Sequence, residues 1–569
     1  MDLWKSVTQL VEGGLKLPFH EHNTFPSLWT IAGISAATYI AYGISVIIYR
    51  LTLHPLAQFP GPFLCRISYL QQCYYEAILN GKFLERLPEY HRKYGPVVRI
   101  SPNEVHINDP SLYHEIYKSN SPFTKDPTSY ALGVSEAMAF TVPVEKHRQK
   151  RKTLDPNFSK HRVGLMEAGM YEELELVFDR IHEYEKRGEE VPIMELYFCY
   201  TVSPPSPTSL DSAMNPAEPI QGDIISRYLF GQSLGLVSSP NFIQRAEQMR
   251  SFTKGIWFAI HFQFVRNALL ALPRWLIAYL SDAWVKVLLF IETLARQSIR
   301  DFNLQQALAK SPLQETIFDR LLTDDARRQE KGRTARPLSF RELADECTGI
   351  LNAGTEPTAT MLSYATYFWL KFPDVQRPIL EELAGVELQD GRLPLAKVEN
   401  LPYFTGFIKE SLRYMPLVPG RLPRTVPAGG LYVPSVQKTI PEGAVVGLSH
   451  LAIHFDPEIF EEPDAFRPER WIGEPGKELN PWLLSFSKGR TDCIGKTWVL
   501  PALVMALNSW VYRLAYAEMH LILANLFTRF ELELTPTGHA DMVWVDRVIV
   551  HSTRNLRIKV KARGEQVEA

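Results

Sequence analysis

The chain has 569 residues, 46% hydrophobic and 22% charged, the make-up of a folded globular protein and not of a disordered one. Its 61 basic and 63 acidic residues nearly cancel, and a formal net charge of -2 gives no general pull toward nucleic acid. Five cysteines (Cys65, Cys73, Cys199, Cys347, Cys493) are odd in number with no CxxC pair, which argues against a disulfide framework or a structural zinc site and favours reduced, cytosolic thiols.

The first element along the chain is apolar. Residues 27–49, SLWTIAGISAATYIAYGISVIIY, carry no charge, are long enough to cross a bilayer as a helix, and have aromatic residues near both ends. The stretch before it is long, does not start with basic residues, and no small-residue cleavage site follows, so the segment reads as a retained anchor. Residues 1–26 are then a short lumenal segment, and Arg50 and His54 place the remainder in the cytosol. Residues 50–62, ending HPLAQFPGP, read as a stiff proline-rich hinge. Residues 63–569 form one large domain.

That domain opens with GPVVRISPNEVHIND, which has the β-branched alternation and turn residues of a hairpin. GMYEELELVFDRIHEYEKRG and FRELADECTGILNAG show the three-to-four spacing of amphipathic helices. Strand-like pieces cluster at 431–446 and again from Phe530. The expected fold class is mainly α with small β-sheets. Two runs break the texture: a Pro/Ser-rich stretch at 201–221, expected to be a disordered loop, and a strongly apolar stretch at 496–513.

Chemistry concentrates in FSKGRTDCIG, residues 486–495. A lone cysteine there can be a buried structural thiol, half of a disulfide or a metal ligand. Gly489 and Gly495 allow tight turns that aim backbone amides at a sulfur, and Lys488 and Arg490 add positive charge. Such a loop suits a thiolate ligand to haem iron. Upstream, KESLRYMP puts Glu410 and Arg413 on one helix face, and FRPERW supplies Arg470 to complete a Glu–Arg–Arg cluster.

In this order and spacing the set resembles the cytochrome P-450 superfamily, specifically its membrane-bound fungal members. The resemblance covers the E-x-x-R helix, the P-E-R segment, the F-x-x-G-x-x-x-C-x-G loop and the A-G-x-[DE] helix at AGTEPTAT, and runs from the anchor to near the C-terminus. It implies a cytochrome P-450 fold behind one transmembrane helix, with haem b held by Cys493 as axial iron ligand and Phe486 packed beside it. Gly489, Arg490 and Gly495 belong to that loop. Glu410, Arg413 and Arg470 lock the haem-binding core, and His147, Arg151 and Arg424 stand where propionate contacts are expected. Glu356, with Thr355 or Thr358, is the expected oxygen-activating set.

The resemblance also implies a monooxygenase that takes NADPH electrons from a separate FAD/FMN reductase, with cytochrome b5 as a second donor. It places the chain in the endoplasmic reticulum membrane with its catalytic domain cytosolic. Stretches such as RISPNEVHINDP and FTKDPTSY point to a terpenoid or other secondary metabolite as substrate, and IWFAIHFQFVRNALLALPRWLIAYL reads as a membrane-dipping entry lid. Rival readings are a haem protein that rearranges its substrate without a reductase, and a chain that cannot hold haem.

Three departures qualify the match. Thr491 stands where an arginine is usual, with Arg490 next to it; Pro357 stands where a threonine follows the acid; and 496–513 separates the cysteine from LAYAEMHL. The runs 202–221 and 496–513 are either real insertions or translated introns. Val202–Ser203 can be encoded by a donor-like GTGAGT and Gln221 by an acceptor-like CAG, and excision would join YFCYT to GDIISRYLFG in frame.

Overall fold

The apolar run from Leu28 folds as one helix, α1 (Leu28–Ile48), continued by a π turn at Tyr49–Leu53. The whole span Leu28–Leu53 has 26 residues and a mean hydropathy of 1.8, long and apolar enough to cross a membrane. The computed structural model describes residues 28–131, 133–201, 224–230, 237–273, 276, 282–310, 315–330, 337–495, 514–535 and 542–563. Two units result, Met1–Ala57 and Gln58–Ala569.

The hinge is shorter than its sequence suggested. Residues 50–53 are helical, because nothing breaks the hydrogen-bond ladder until His54, which turns extended before Pro55. At the far end, Pro60 accepts a hydrogen bond from the Arg99 backbone N–H at 2.7 Å, and a Cβ on Gly61 would fall 2.2 Å from the Arg99 carbonyl oxygen. Those residues are therefore fastened to the sheet of the second unit.

In the second unit the helices that matter below are α2 (Val144–Leu154), α3 (Glu167–Arg187), α4 (Ile193–Thr201), α5 (Ile224–Phe230), α6 (Phe242–Arg250), α7 (Ile256–His261), α8 (Gln263–Leu270), α9 (Asp282–Asp301), α10 (Phe340–Lys371), α11 (Pro402–Tyr414) and α12 (Leu514–Arg529). The expected hairpin is present: β1 (Val97–Ser101) pairs antiparallel with β2 (Glu104–Ile107). β3 (Thr124–Lys125), β4 (Arg424–Thr425) and β7 (Val445–Gly447) extend it in the order β1-β2-β7-β4-β3, with β2 and β7 parallel. Smaller antiparallel pairs are β5 (Leu431–Val433) with β6 (Lys438–Ile440), β8 (Phe530–Leu534) with β11 (Ile558–Ala562), and β9 (Trp544–Arg547) with β10 (Ile549–Ser552).

α10 is the axis of the core. Ser339 and Glu342 form a reciprocal capping box that starts it, satisfying two of its free N-terminal amides. Farther along, Trp369 stacks on Phe527 of α12 at 3.8 Å, and Tyr197 of α4 shares a hydrogen bond with Thr366 at 2.8 Å. α5 packs on the same helix where Gly354 leaves room: a Cβ there would sit 3.2 Å from Ile225. The runs 202–221 and 496–513 lie outside the described residues.

Candidate active site

The loop 486–495 takes its shape from two residues at positive φ, Ser487 (54°) and Gly489 (74°). Glycine is required at 489, because a Cβ would lie 2.0 Å from the Tyr117 carbonyl oxygen. The loop then folds back so that the Cys493 N–H donates to the Phe486 carbonyl at 2.9 Å. Phe486 is buried against Tyr516 of α12, ring centroids 5.1 Å apart. Cys493 is exposed, whereas Cys65, Cys199 and Cys347 are buried and Cys73 is partly so. Burial pushes the Cys65 thiol up to about 12 and Cys347 well above its usual range, so neither is a candidate thiolate.

Beside this loop five basic side chains converge from four elements: Lys125 on β3, His147 and Arg151 on α2, Arg424 on β4 and Arg490 within the loop. Lys125 donates to the carbonyls of Met138 (3.4 Å), Ala139 (2.7 Å) and Thr141 (3.3 Å). Arg424 donates to the Tyr130 hydroxyl at 2.7 Å and the Thr491 hydroxyl at 2.9 Å, and Arg490 to the carbonyls of Ser121 and Phe123. Among the described residues, Arg151 alone of the five meets carboxylates, Asp492 at 2.8 Å and Asp155 at 3.5 Å. His147 Nδ1 is buried with no partner among the described residues.

The cost of gathering these groups shows in their titration. Burial first, then Arg424, Arg490 and Arg151, push Lys125 down to about 7. Burial, then Lys125 and the three arginines, push His147 down to about 3. Buried cations that repel one another need an anion to be stable. A group with two carboxylates, such as haem, matches this cradle, and the thiol of Cys493 stands next to it. Arg490 stands next to position 491 and donates to the Ser121 and Phe123 carbonyls, while the Thr491 hydroxyl accepts from Arg424.

α10 presents a distinct face. Between Thr348 and Trp369 only Gly349, Asn352, Ala353, Gly354 and Pro357 keep accessible surface. Gly349, Ala353 and Pro357 recur every four residues and so share one side of the helix. Gly349 lies under the segment that holds Lys125: a Cβ there would be 2.8 Å from the Ala137 Cβ, and the neighbouring Met138 N–H donates to Glu346 at 3.0 Å. The strip therefore adjoins the cationic cradle.

Of the three expected oxygen-activating side chains, the two threonines do not point from this strip. Thr355 and Thr358 lie on the opposite side, at roughly 100° per residue. Thr355 donates to the Leu351 carbonyl at 2.5 Å, and Thr358 lies beside the carboxyl of Glu518 on α12, whose pKa burial raises and Thr358 lowers in part. Glu356 contacts His551 of β10 at 3.1 Å and Thr253 at 3.4 Å. The Glu356–His551 contact is a hydrogen bond and not an ion pair: burial raises the acid to about 7, while burial and then Arg250 and Arg547 lower the imidazole to about 2. At neutral pH the available proton therefore sits on Glu356.

Below the loop, Glu410 and Arg413 of α11 are wholly buried. Glu410 accepts from Arg413 at 2.8 and 2.9 Å, Arg470 at 3.1 Å, the Trp471 indole at 2.8 Å and the Arg467 backbone at 2.9 Å. The expected cluster is assembled. Two members of the site had escaped the motif reading: Lys125, inside FTKDPTSY, and Glu518, inside LAYAEMHL. Neither has a local pattern; each is recruited by a strand or helix packed across the core.

Comparison with known proteins agrees with this geometry. The sequence model of the cytochrome P-450 family matches residues 59–560. Relatives include the cytochrome P-450 monooxygenases BOT1 of Botryotinia fuckeliana (30% identical, covering 94% of this chain and 96% of the relative), sdnE of Sordaria araneosa (31%, 92% and 97%) and TRI4 of Trichoderma arundinaceum (29%, 94% and 96%). With a family match across nearly its whole second unit, a cysteine loop and a buried Glu–Arg–Arg lock, this chain belongs to the cytochrome P-450 family of monooxygenases.

Proposed function

We propose that this chain inserts one atom of O2 into an apolar small molecule, a terpenoid or related fungal secondary metabolite, using NADPH electrons delivered by a separate reductase. The observation that carries the reading is the cradle of Lys125, His147, Arg151, Arg424 and Arg490 beside an exposed Cys493. In this reading Cys493 would hold the haem iron through its thiolate, Phe486 would cover that side, and the cradle would hold the propionates. Haem, when bound there, supplies the activation of O2.

The chain's own residues prepare the rest. Gly349, Ala353 and Pro357 keep the distal strip free of bulk. Pro357 lacks an N–H, so the Ala353 carbonyl has no partner four residues on and can hold a water at that face. Glu356 stores a proton at its carboxyl and passes it toward that water, with His551 and Arg250 fixing the orientation. A depression of about 850 Å³ beside the loop reaches the cradle residues His147, Arg151 and Arg490. Its border adds Lys118, Arg148, Lys152 and Lys488 against two acids, Asp155 and Asp492, a net basic rim that suits an acidic reductase surface.

Membrane association fits two apolar surfaces of the second unit besides α1. On α7 and α8, Phe258, Phe264 and Leu269 are exposed, and Phe63, Leu70 and Ile78 are exposed on the segment that α7 touches through His261 and Glu76. Such a lid would admit substrate from the endoplasmic reticulum bilayer.

The test is the absorption spectrum of the reduced, CO-bound protein. A red-shifted thiolate band in the unmodified chain, absent in Cys493→Ala and retained when the other four cysteines become serine, is the expected result. A normal band from Cys493→Ala overturns the assignment. Turnover that needs neither NADPH nor O2 would replace oxygenation by rearrangement.

A further inference from the structure

A cavity of about 110 Å³ lies under the lid helix α7, walled largely by apolar side chains, among them Trp257, Ile260, Val418 and Val548. Two carboxyls line it, those of Glu76 and Asp546. Asp546, at the end of β9, is 6% exposed, its Oδ1 accepts the Val548 N–H at 2.8 Å, and its carbonyl accepts the Trp257 indole N–H at 2.5 Å. Its Oδ2 accepts no hydrogen bond among the described residues. A Cβ on Gly420 would sit 3.1 Å from that oxygen, so the absence of a side chain at 420 keeps it uncovered.

The other charges around the cavity are matched to one another. Arg421 pairs with Glu76 at 2.9 Å and with Glu104 at 2.6 Å, and Glu76 also meets His261 at 2.7 Å. Burial, then Glu76, raise Asp546 to about 7. Asp546 lines the cavity and its Oδ2 is not fully buried, so that oxygen is open to a donor that a ligand brings into a largely apolar space. Apolar walls would strip an ammonium group of its water, which favours a neutral donor.

Resting on the reading of this chain as an oxygenase of apolar molecules, we infer that Asp546 is a specificity-determining residue whose Oδ2 receives the hydroxyl of an otherwise apolar substrate, an alcohol and not a hydrocarbon. The cavity admits only one end of such a molecule. The substrate is then already oxygenated on arrival, so the reaction that supplies it is a hydroxylation, a carbonyl reduction or a water-quenched cyclisation.

Calorimetric titration of the haem-loaded full chain at about pH 8, above the Asp546 titration, tests this. The probes are 1-dodecanol, its methyl ether and dodecane, with farnesol and its methyl ether as a branched pair. At least one alcohol should bind roughly tenfold more tightly than its ether, the scale of one good hydrogen bond. Asp546→Asn, whose amide donates where the carboxylate accepted, should abolish or invert that ratio. Gly420→Ala, which covers Oδ2 without altering charge, should lower it as well and carries the test if the first variant does not fold. Equal affinities for every alcohol and ether, a ratio unchanged in both variants, or no probe bound by the haem-loaded chain overturns the assignment. Failure of the oxygenase reading registers separately, as a missing thiolate–CO band or no NADPH-dependent oxidation in the unmodified protein.

Discussion

Around Glu410, one buried carboxylate takes two guanidiniums, an indole N–H and a backbone N–H, and Arg413 and Arg470 send further N–H groups to the carbonyls of His454, Ala465 and Glu461. Around Lys125, by contrast, three of five basic groups donate, among the described residues, only to neutral oxygens, and a histidine nitrogen has no partner there. Both regions are buried and arginine-rich, yet one is closed on itself and the other is open to an anion. The difference teaches how to tell a structural lock from a binding site: by whether the charges are already answered, and not by which residues are present.

Breaking the closed region should have the largest effect. Glu410→Ala leaves two buried guanidiniums without their acceptor, a loss of about 3–5 kcal/mol, and folded protein should not be recovered. A soluble variant that melts like the unmodified chain would remove the contrast.

In the open region the sign of the stability effect should reverse. Arg424→Met removes one of several repelling cations, so the haem-free chain should be at least as stable in thermal melts. Haem, however, should dissociate faster by roughly tenfold or more, since a hydrogen bond between charged groups contributes about 1.5–3 kcal/mol. A lower melting temperature of the haem-free variant with unchanged haem release would make Arg424 structural.

The third expectation concerns pH. Folded, haem-free protein releases the Lys125 proton at about 7, while an unfolded chain keeps it to about 10.4. Between those values the unfolded state binds more protons, so the Lys125 contribution to stability rises with pH over that window. Lys125→Met should remove that rise, and haem binding should remove it too by supplying carboxylates. Denaturant midpoints measured at several pH values check both.

The smallest effect is expected on α10. Pro357→Thr restores an N–H and places a hydroxyl on the accessible strip, so product formed per NADPH consumed should increase, with less hydrogen peroxide released. Unaltered coupling would show that the Glu356 and water route already suffices.

Much of the architecture was legible from local pattern. The apolar N-terminal helix, the first hairpin and the amphipathic helices follow from hydrophobic period, and the Cys493 loop and the Glu410–Arg413 pair follow from spacing that one turn or helix imposes, whereas Arg470, on a separate segment, came from the family resemblance. Less legible were the end of the apolar N-terminal helix, which ran on to Leu53, and the side of α10 on which Thr355 and Thr358 lie. The spacing in AGTEPTAT names candidates but cannot say which side of α10 keeps accessible surface; packing by α4, α5 and α12 decides that.

What the sequence by itself determined, then, is what neighbouring residues determine: periodicity, turns fixed by glycine, and motifs within one or two turns of chain. What only the tertiary structure decided are the pairings between distant segments. Lys125 joins Arg424 because β3 pairs with β4, Thr358 meets Glu518 because α10 packs on α12, and Asp546 overhangs Gly420 because β9 returns to the α11 exit. The physical reason is the same in each case: the charge state and the partner of a buried polar group depend on what burial brings against it, and separation along the chain carries no record of that.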